Sequence, residues 1–517
     1  MLKADYTPVF TPLDQVIFDQ LAPEDHYLRR LKEAIDFSRF HSILAECYSA
    51  TLGRGACDPV LLLKLDLLQF HYGWSDEAVI QHAQVNIAIR FFLDLPLNAS
   101  LPDPSLLTIF RKRLRENEGG QKVFDEVLRQ ARGFGLVKDR ARLKDATHVI
   151  ANIAVPTTLK LVAQTREQLL NAAEPFAAAE VAQHRKEAEE IRTATVDLKD
   201  ELRLLRRVEH LQALISWAET WLARLDIGAP PVSPEVYQAF ATALELARKV
   251  FGDREPKAGD QVRSVTDPEA RRAKHGSYYD GYKADVSMDP ESELICAIDV
   301  LAANADEAAN AKVLIESEEA THSNDIESLS MDAIGYNGAV LKELCDDPDG
   351  PQLTVYTPPK GQEPRYPDLF QSDDFTLNEA GDELTCPQGE TTKTRYRDGL
   401  NHGSVFHYRA SQCRDCPLRA QCIPASNSRA RKVSKNDFQK QYQDAQQRAT
   451  TTAYKQMRKE HPAVERKLNE LVRWHSGRRS RYRGRSRVKL QFLLLAVVVN
   501  CKRIVRLLNA APTAQPA

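Results

Sequence analysis

The first part of the chain carries apolar residues at the spacing of buried or amphipathic helices. From Pro59 to Tyr72 the apolar positions are nearly continuous, which predicts a buried helix. Asp103-Pro104-Ser105 then opens a second helical pattern. The polar positions of that pattern include three consecutive basic residues, Arg111, Lys112 and Arg113. We therefore expect a capped helix with a basic outer face, within an all-helical domain over residues 1–135.

Near residue 140 the spacing changes to the alternation that is typical of β-strands. Residues 142–152 are rich in β-branched side chains, which predicts a first strand. Apolar and polar residues then alternate over 282–288 and again over 294–300, with a turn between the two runs, and so predict a β-hairpin. The series is completed by two short strands, each preceded by a predicted helix, at 328–332 and 353–356.

Two segments interrupt this series. Residues 157–264 are predicted to form a helical, coiled-coil-like insertion, because their apolar residues recur at steps of three or four. The recurring residues, which we expect to pack in a core, are Leu198, Leu202, Leu205, Val208, Leu211 and Ile215. Residues 361–432 are irregular and contain Pro, Gly and clustered Cys. A long final helix is predicted from about Lys435 toward Trp474, with a break near His461 and Pro462.

With both insertions removed, the order of elements is strand, hairpin, helix, strand, helix, strand and helix. That order matches an α/β fold with a ribonuclease H-like mixed-sheet core. A chain of 517 residues is long enough for roughly two to four structural units. The predicted units are the helical domain at 1–135, the core at 136–156 and 265–360, the helical insertion at 157–264, the cysteine-rich insertion at 361–432, and the final helix with a basic C-terminal segment at 433–510.

Three acidic residues occupy the places where such a sheet would bring them together. Asp145 lies on the first strand, Asp332 ends the strand after the hairpin, and Glu465 lies on the final helix. In a ribonuclease H-like sheet the first and fourth strands are neighbours and the last helix packs beside them. Two-metal phosphoryl-transfer chemistry requires such a carboxylate cluster. Glu460 is the alternative third acid, and for each acid the competing interpretation is a solvated surface charge.

Four of the nine cysteines are clustered in the irregular insertion. Cys386, Cys413, Cys416 and Cys422 are spaced as C-x26-C-x2-C-x5-C. Four thiolates complete a tetrahedral zinc site, which would stabilise a segment that lacks a large core. We therefore expect a structural, zinc-ribbon-like insertion without a catalytic role. A redox pair and plain buried thiols are the alternatives.

A net charge of −2 argues against a nucleic-acid partner unless the charge is unevenly distributed. Residues 473–489 contain no acidic residue and eight basic ones, Arg473, Arg478, Arg479, Arg481, Arg483, Arg485, Arg487 and Lys489. This segment is a candidate phosphate-binding surface, and a solvated basic loop is the alternative. The longest apolar run, 492–499, is too short to cross a bilayer. Because a secretory signal is not apparent at the N-terminus either, we expect a cytoplasmic protein.

Several motifs resemble those of one enzyme family, the insertion-sequence DDE transposases. Asp145-Ala146-Thr147, followed by Ala151-Asn152, resembles their first-acid motif, and the sequence from Asp332 to Tyr336 resembles their second. Three segments resemble their C-terminal signature: Val464-Glu465-Arg466, residues 478–484 and Asn500-Cys501-Lys502-Arg503. Residues 101–105 and 111–114 are similar to their N-terminal domain. Many relatives have Tyr, Arg and Lys where this chain has Arg458, His461 and Val472. The resemblance spans about residues 20 to 508.

The resemblance implies a DNA transposase that cleaves the ends of an insertion sequence and joins them to target DNA. Asp145, Asp332 and Glu465 would hold two Mg²⁺ or Mn²⁺ ions, with Arg458 or Arg473 as phosphate contacts. The partners implied are double-stranded DNA, both terminal inverted repeats and target, and further copies in a homodimer or larger oligomer associated with the nucleoid. Arg111, Lys112 and Arg113 would belong to the domain that reads the repeats. Two alternatives are a catalytically inactive, transposase-derived DNA-binding protein and a metal-dependent nuclease that does not join strands.

Overall fold

The computed structural model describes residues 2, 6, 8–49, 55–228, 230–254, 260–360, 366–399, 402–424 and 429–510. The helices are α1 (Pro12–Leu21), α2 (Tyr27–Ala34), α3 (Phe40–Ala45), α4 (Pro59–Tyr72), α5 (Asp76–Val85), α6 (Ile87–Phe92), α7 (Ser105–Glu116), α8 (Gly119–Gly133), α9 (Thr158–Ala194), α10 (Asp200–Asp226), α11 (Pro234–Gly252), α12 (Ala311–His322), α13 (Gly338–Cys345), α14 (Ala410–Arg414), α15 (Arg419–Cys422), α16 (Gln439–Ala449), α17 (Thr452–Glu460), α18 (Pro462–Arg473) and α19 (Arg485–Ala510). The strands are β1 (Ala141–Ile150), β2 (Arg271–His275), β3 (Ser277–Met288), β4 (Ile295–Ala302), β5 (Ser328–Ser330), β6 (Thr354–Tyr356), β7 (Thr376–Leu377), β8 (Leu384–Thr385), β9 (Thr391–Thr392), β10 (Arg395–Asp398), β11 (Gly403–His407) and β12 (Lys432–Asn436). Short 3-10 helices occupy Phe37–Arg39, Ala333–Gly335 and Ser372–Asp374.

A mixed sheet is the centre of the α/β part of the chain. β1 lies between β3 and β5, β6 follows β5, and both β2 and β4 pair with β3. β1, β5 and β6 run parallel, whereas β3 is antiparallel to β1, β2 and β4. The hairpin predicted from the sequence is confirmed as β3 and β4. The first strand also lies beside β5, the strand that follows the hairpin, as expected.

One hydrophobic core joins the N-terminal helices to this sheet. The core combines residues of α2, α4, α7 and α8 with residues of β1, β3, β4 and α19. The predicted buried helix is α4, which is capped by Asp58 and ends at Gly73, whose φ of 74° is left-handed. In α19 the buried Asn500 fixes the helix to β4, because its side chain accepts from the Ile295 N–H (2.9 Å) and donates to the Ile295 carbonyl (2.8 Å). Among the described residues, no helix combines the length and the apolar character needed to span a membrane.

The helical insertion folds around a second core of its own, formed by α9, α10 and α11. Leu211 and Ile215 are buried there, as predicted. Leu198, Leu202 and Leu205 are instead 40%, 49% and 52% exposed. The prediction that the whole apolar stripe packs in a core is therefore wrong for these three leucines. The reason is that the three-helix core ends near residue 210, and the first turns of α10 extend beyond it.

The cysteine-rich segment contains two small antiparallel sheets, β7-β8-β9 and β10-β11-β12. Their shared core is small and consists of Phe375, Leu384, Phe406, Tyr408 and Val433. Because β12 occupies Lys432–Asn436, the prediction of a helix from about Lys435 is wrong. The helical part starts only with α16 and is interrupted before α17 and again at His461, where the predicted break is confirmed.

Candidate active site

Two of the three predicted acids lie side by side at one edge of the central sheet. The parallel register aligns Leu143 of β1 with Ser330 of β5, and Asp145 and Asp332 each follow that pair by two residues. Side chains two residues apart along a strand share a face of the sheet. The two carboxylates consequently line a single cleft.

Main-chain hydrogen bonds hold both carboxylates in place. The Ala146 N–H donates to Asp145 Oδ1 at 2.8 Å. Asp332 caps the short helix that follows it, because its Oδ1 accepts from the Ile334 N–H at 3.0 Å. The Thr357 hydroxyl donates to the Asp332 carbonyl at 2.7 Å and so ties this turn to the end of β6.

The electrostatics of the cleft show which acids act on one another. Burial, the largest cause, and the negative charges of Asp332, Glu307 and Glu465 together raise the pKa of Asp145 to about 7, against the lowering effect of the Ala146 N–H. Asp332 and Glu465 are therefore both near enough to Asp145 to disfavour its ionised form. The fold brings the three predicted acids to the same region.

The third acid comes from the first turn of α18, which packs against β1. Glu465 is exposed there. The other acids considered on these helices have different partners. Glu460 accepts a hydrogen bond from Gln456 at 2.8 Å, and Glu470 binds Lys467 and Lys502 at 3.0 and 2.9 Å. Glu465 is thus the acid of this helical region whose charge acts on Asp145.

A fourth acid, Glu307, also lines the cleft, and sequence reasoning missed it. It follows β4 and forms an ion pair with Lys283 Nζ at 2.9 Å. The strand directions of the sheet contain a signal that Glu307 lies near the other acids. β4 is antiparallel to β3, which is antiparallel to β1, so the C-terminal ends of β1, β4 and β5 all point to the same edge of the sheet.

Arg458 and His461 stand where many relatives have Tyr and Arg, and both contact the end of β5. Arg458 Nη1 donates to the Met331 carbonyl at 2.8 Å. His461 Nδ1 lies 3.0 Å from Ser330 Oγ, and burial, with the nearby Arg458 charge, lowers the pKa of His461 to about 4. These contacts fix α17 and α18 against the strand that leads to Asp332. The Arg458 guanidinium, predicted to contact phosphate, is engaged with the protein main chain.

His148, on the same strand as Asp145, does not share its side of the sheet, because side chains alternate along a strand. Its ring packs against those of His275 and Tyr279, with centroids 4.6 and 5.1 Å away. Burial, together with the charges of Arg478 and His275, lowers the pKa of His148 to about 4. These contacts favour the interpretation of His148 as a packed strand histidine over that of a base.

The arginines of the basic segment divide into inward ones, which bind main-chain carbonyls, and outward ones, which do not. Four of its guanidinium groups donate to main-chain carbonyls: Arg478 to His148 (2.6 Å), Arg481 to Trp74 (2.9 Å), Arg483 to Asn152 (2.9 Å) and Arg485 to Val300 (2.6 Å). Arg473, Arg479 and Arg487 are exposed and donate no such hydrogen bond among the described residues, whereas Arg483 and Arg485 are exposed but engaged. Part of this predicted phosphate-binding surface therefore also holds the C-terminal segment onto the sheet and onto the N-terminal helices.

The prediction of a basic outer face on α7 is wrong for Arg111. Leu107, Phe110, Arg111 and Leu114 are the buried positions of this helix, and their spacing places Arg111 on the apolar face. Its guanidinium binds Asp66 Oδ1 at 2.7 Å and also contacts Asp76. Lys112 is exposed and lies 3.9 Å from Glu116, while Arg113 lies over the Tyr48 ring at 4.4 Å.

The four clustered cysteines surround one small cavity, together with Tyr408. Cys386 opens a tight turn, because the Gly389 N–H donates to its carbonyl at 2.8 Å and Gly389 has a φ of 93°. Cys413 lies in α14 and Cys422 ends α15. Burial and the neighbouring Cys386, Cys422 and Cys413 thiols raise the pKa of Tyr408.

The potential ligand atoms lie closer together in a third cluster than in the acidic cleft or around the four cysteines. Among the described residues, one group of three potential ligands has all its donor atoms within 4.8 Å of one another, and it is His184, Glu187 and His210 of the helical insertion. Asp145 and Asp332 line one cleft and the four cysteines line one cavity, but neither set belongs to a group of three described residues whose ligand atoms all lie within that distance.

Two family models match the chain. The family described as "Transposase domain (DUF772)" matches residues 16–113, which form α1 to most of α7. The family described as "Transposase DDE domain" matches residues 385–505, which contain the four cysteines, Glu465 and the basic segment. Asp145 and Asp332 lie between the two matched regions. No solved structure matches.

Mixed α/β architecture, an acidic cleft at a sheet edge and two transposase matches define the class of protein. The matches support an insertion-sequence DDE transposase, and the prediction from the sequence motifs is confirmed. The match to the DDE domain suggests a polynucleotidyl transferase or nuclease kind of activity, and the transposase matches imply DNA binding; DDE transposases generally use divalent metal ions.

Proposed function

We propose that this transposase cleaves the ends of an insertion sequence and joins them to target DNA, using two Mg²⁺ or Mn²⁺ ions held by Asp145, Asp332 and Glu465. The observation that carries the proposal is that Asp145 and Asp332, remote in sequence, line one cleft, and that Glu465 is near enough for its charge to act on Asp145. Asp332 and Glu465 both raise the pKa of Asp145. A carboxylate cluster of this kind is the donor set that hard divalent cations prefer.

The sheet supports the same proposal. Its order from β4 through β3, β1 and β5 to β6, with β3 antiparallel to β1, is the arrangement expected of a ribonuclease H-like core. When bound, the ions would supply Lewis-acid activation of the phosphodiester and of the attacking hydroxyl. The contribution of the protein is to position the carboxylates. The turn at Ala333–Gly335 and the Thr357 hydroxyl orient Asp332, and Arg458 fixes the strand end that precedes it.

For DNA contact, the structure favours the outward basic residues over the inward ones. Arg473, Arg479 and Arg487 are exposed near the C-terminal end of the chain, and Lys112 is exposed on α7. We assign these side chains to phosphate contacts with double-stranded DNA, both the terminal repeats and the target. Two element ends must be held together, so the active form would be at least a homodimer, associated with the nucleoid.

We also propose that Cys386, Cys413, Cys416 and Cys422 hold a structural Zn²⁺. All four thiols line one cavity, and the donor set is that of a closed tetrahedral site. Arg419 and Arg431 also line it and would offset the negative charge of four thiolates. Metal analysis of purified protein should find one zinc that is lost in Cys413→Ser. Zinc content that is unchanged in this variant would contradict the assignment.

Cleavage of DNA that carries the terminal repeats tests the role of the acids. Asp145→Asn, Asp332→Asn and Glu465→Gln should each lower cleavage by about 1000-fold, because each removes part of a metal-ion contribution worth several kcal/mol. DNA binding, measured by gel shift, should be retained. Glu460→Gln is the matched control on the adjoining helix and should cleave normally.

Glu307→Gln distinguishes the third ligand. Because Glu307 already pairs with Lys283, we expect this variant to keep most of its activity. Full activity in Glu465→Gln together with loss of activity in Glu307→Gln would transfer the role to Glu307. Cleavage without joined products would identify a nuclease, and DNA binding without cleavage would identify an inactive DNA-binding protein.

A further inference from the structure

A compact group of metal-ligating side chains lies in the helical insertion, away from the acidic cleft and the cysteines. His184 and Glu187 are three residues apart on α9 and so share one face of that helix, and His210 faces them from α10. Glu187 Oε2 lies 3.0 Å from His184 Nδ1 and 3.6 Å from His210 Nε2. From this geometry we infer that His184, Glu187 and His210 bind a transition-metal ion of the Zn²⁺ or Ni²⁺ class.

The burial and the protonation state of His210 support the binding of a metal ion. His210 is 7% exposed, and its Nε2, which faces Glu187, has no hydrogen-bond partner among the described residues. Burial and the Arg166 charge lower the pKa of His210 to about 4, so its ring is neutral near pH 7. Hydrogen bonds from Gln183 and His184 lower the pKa of Glu187, which keeps it ionised.

The donor set defines the ligand chemistry. Two imidazole nitrogens and one carboxylate oxygen are ligands that suit Zn²⁺, Ni²⁺ and Cu²⁺ better than Mg²⁺ or Ca²⁺. Three protein ligands leave a fourth tetrahedral position for water. The site therefore differs in chemistry from both the all-oxygen cleft and the all-sulfur cluster of the same chain.

Arg166 contacts the other ring nitrogen of His210 and so determines which nitrogen carries the proton. Its Nη1 lies 3.0 Å from His210 Nδ1, and because a guanidinium only donates hydrogen bonds, the ring proton must be on Nε2. A metal at Nε2 would move that proton to Nδ1 and displace the Arg166 contact. Arg166 is buried and its Nε has no hydrogen-bond partner among the described residues, so loss of this contact is a cost that metal binding must offset.

The location suggests what the metal does. On α9 the buried apolar residues end at Val181, and on α10 they begin after His210. Between these points, over residues 182–209, Thr195 alone is buried. The metal would join the two helices where hydrophobic packing stops. It would thereby order the arm formed by residues 182–209, which carries the exposed Leu198, Leu202 and Leu205.

Trp217 provides a probe within the site, since its ring packs against that of His184 at 4.8 Å. Full-length protein that keeps zinc only at the four cysteines, after weaker-bound zinc has been removed with a chelator, is titrated with Ni²⁺ and the tryptophan fluorescence is followed. Wild type should show saturable quenching that is lost in Trp217→Phe. His210→Ala should weaken Ni²⁺ binding by more than the roughly 10- to 100-fold expected from loss of an outer hydrogen-bond partner. Arg166→Met should instead tighten it, because the competing contact is removed.

His184→Gln, at a partly exposed position, is a second ligand variant in case His210→Ala fails to fold, and His41→Ala is the control at an exposed histidine. Ni²⁺ should also protect residues 182–209 from proteolysis in wild type but not in His184→Gln. Equal Ni²⁺ affinity in wild type and His184→Gln, or weaker binding in Arg166→Met, would overturn the inference and leave a hydrogen-bonded His-Glu-His cluster. The readouts do not depend on DNA cleavage, so they stand apart from the test of the proposed function.

Discussion

Asp145 and Asp285 lie on neighbouring strands of one sheet, yet their surroundings are opposite. Asp285 is fully buried and accepts hydrogen bonds from Lys144 Nζ at 2.7 Å and from Asn310 at 2.9 Å. Asp145 is crowded instead by Asp332, Glu307 and Glu465. Burial raises the pKa of both carboxyl groups, but only the Asp285 carboxylate has a lysine as its direct partner.

The difference follows from strand alternation. Arg142 and Lys144 point to the face covered by α12, where Arg142 pairs with Glu318 and Lys144 with Asp285. Asp145 points to the other face, where α18 brings a further acid. A buried charge with a fixed partner is part of the fold. Asp145, Asp332 and Glu465 form no ion pair among the described residues, and such a group is costly to the fold unless a cation from solution joins it, which is why this group is the candidate site.

The largest effect on stability is expected from Asp285→Asn. This substitution leaves Lys144 buried without its counter-ion and should lower the free energy of unfolding by about 3–5 kcal/mol. Asp145→Asn should leave it unchanged or raise it, because a carboxylate crowded by like charges is replaced by a neutral amide. Urea denaturation of the two variants measures the contrast. Equal losses in both would erase the distinction between a structural and a functional acid.

A double variant sharpens this contrast. Lys144→Met combined with Asp285→Asn removes both charges, and replacing a buried ion pair by neutral groups costs less than breaking it. The double variant should therefore be more stable than Asp285→Asn alone. If it is less stable, the packing of these side chains rather than their charge explains the loss.

The next effect is the pH dependence of metal binding in the cleft. The pKa of Asp145 is raised to about 7, so below that pH most molecules carry a proton that a metal ion must displace. Mn²⁺ affinity should rise with pH by up to about tenfold per unit below pH 7 and level off above it. Calorimetric titrations between about pH 6 and 8 measure this slope. Asp145→Asn should remove it, whereas a slope that persists in this variant would assign the proton to another group.

The sequence was a good guide to the type of element wherever a periodic pattern extended over several residues, although not to the burial of Leu198, Leu202 and Leu205. The hairpin, α4 and the pairing of β1 with β5 follow from alternation, apolar runs and element order. It was a poor guide to single positions. Arg111 looks like part of a basic face but lies on the apolar one, since its partners Asp66 and Asp76, 45 and 35 positions earlier, permit its burial. Glu307 belongs to no periodic element, and its proximity to Asp145 arises only once β4 and β1 are placed in one sheet.

The smallest expected effect concerns the arginines of the C-terminal segment. Here the contrast is between a cation engaged within the protein and a cation exposed to solvent. Arg481 donates to the Trp74 carbonyl and lies 5.0 Å from the centroid of the Phe70 ring, whereas Arg487 is exposed. Arg487→Ala should weaken DNA binding modestly and lower the slope of log affinity against log salt concentration by about 0.9, the value for one phosphate contact. Arg481→Met should lower the free energy of unfolding while leaving that slope unchanged, because its charge is engaged within the protein. Filter binding over a range of salt concentrations decides between them, and a slope that falls for Arg481→Met but not for Arg487→Ala would reverse the assignment of inward and outward arginines.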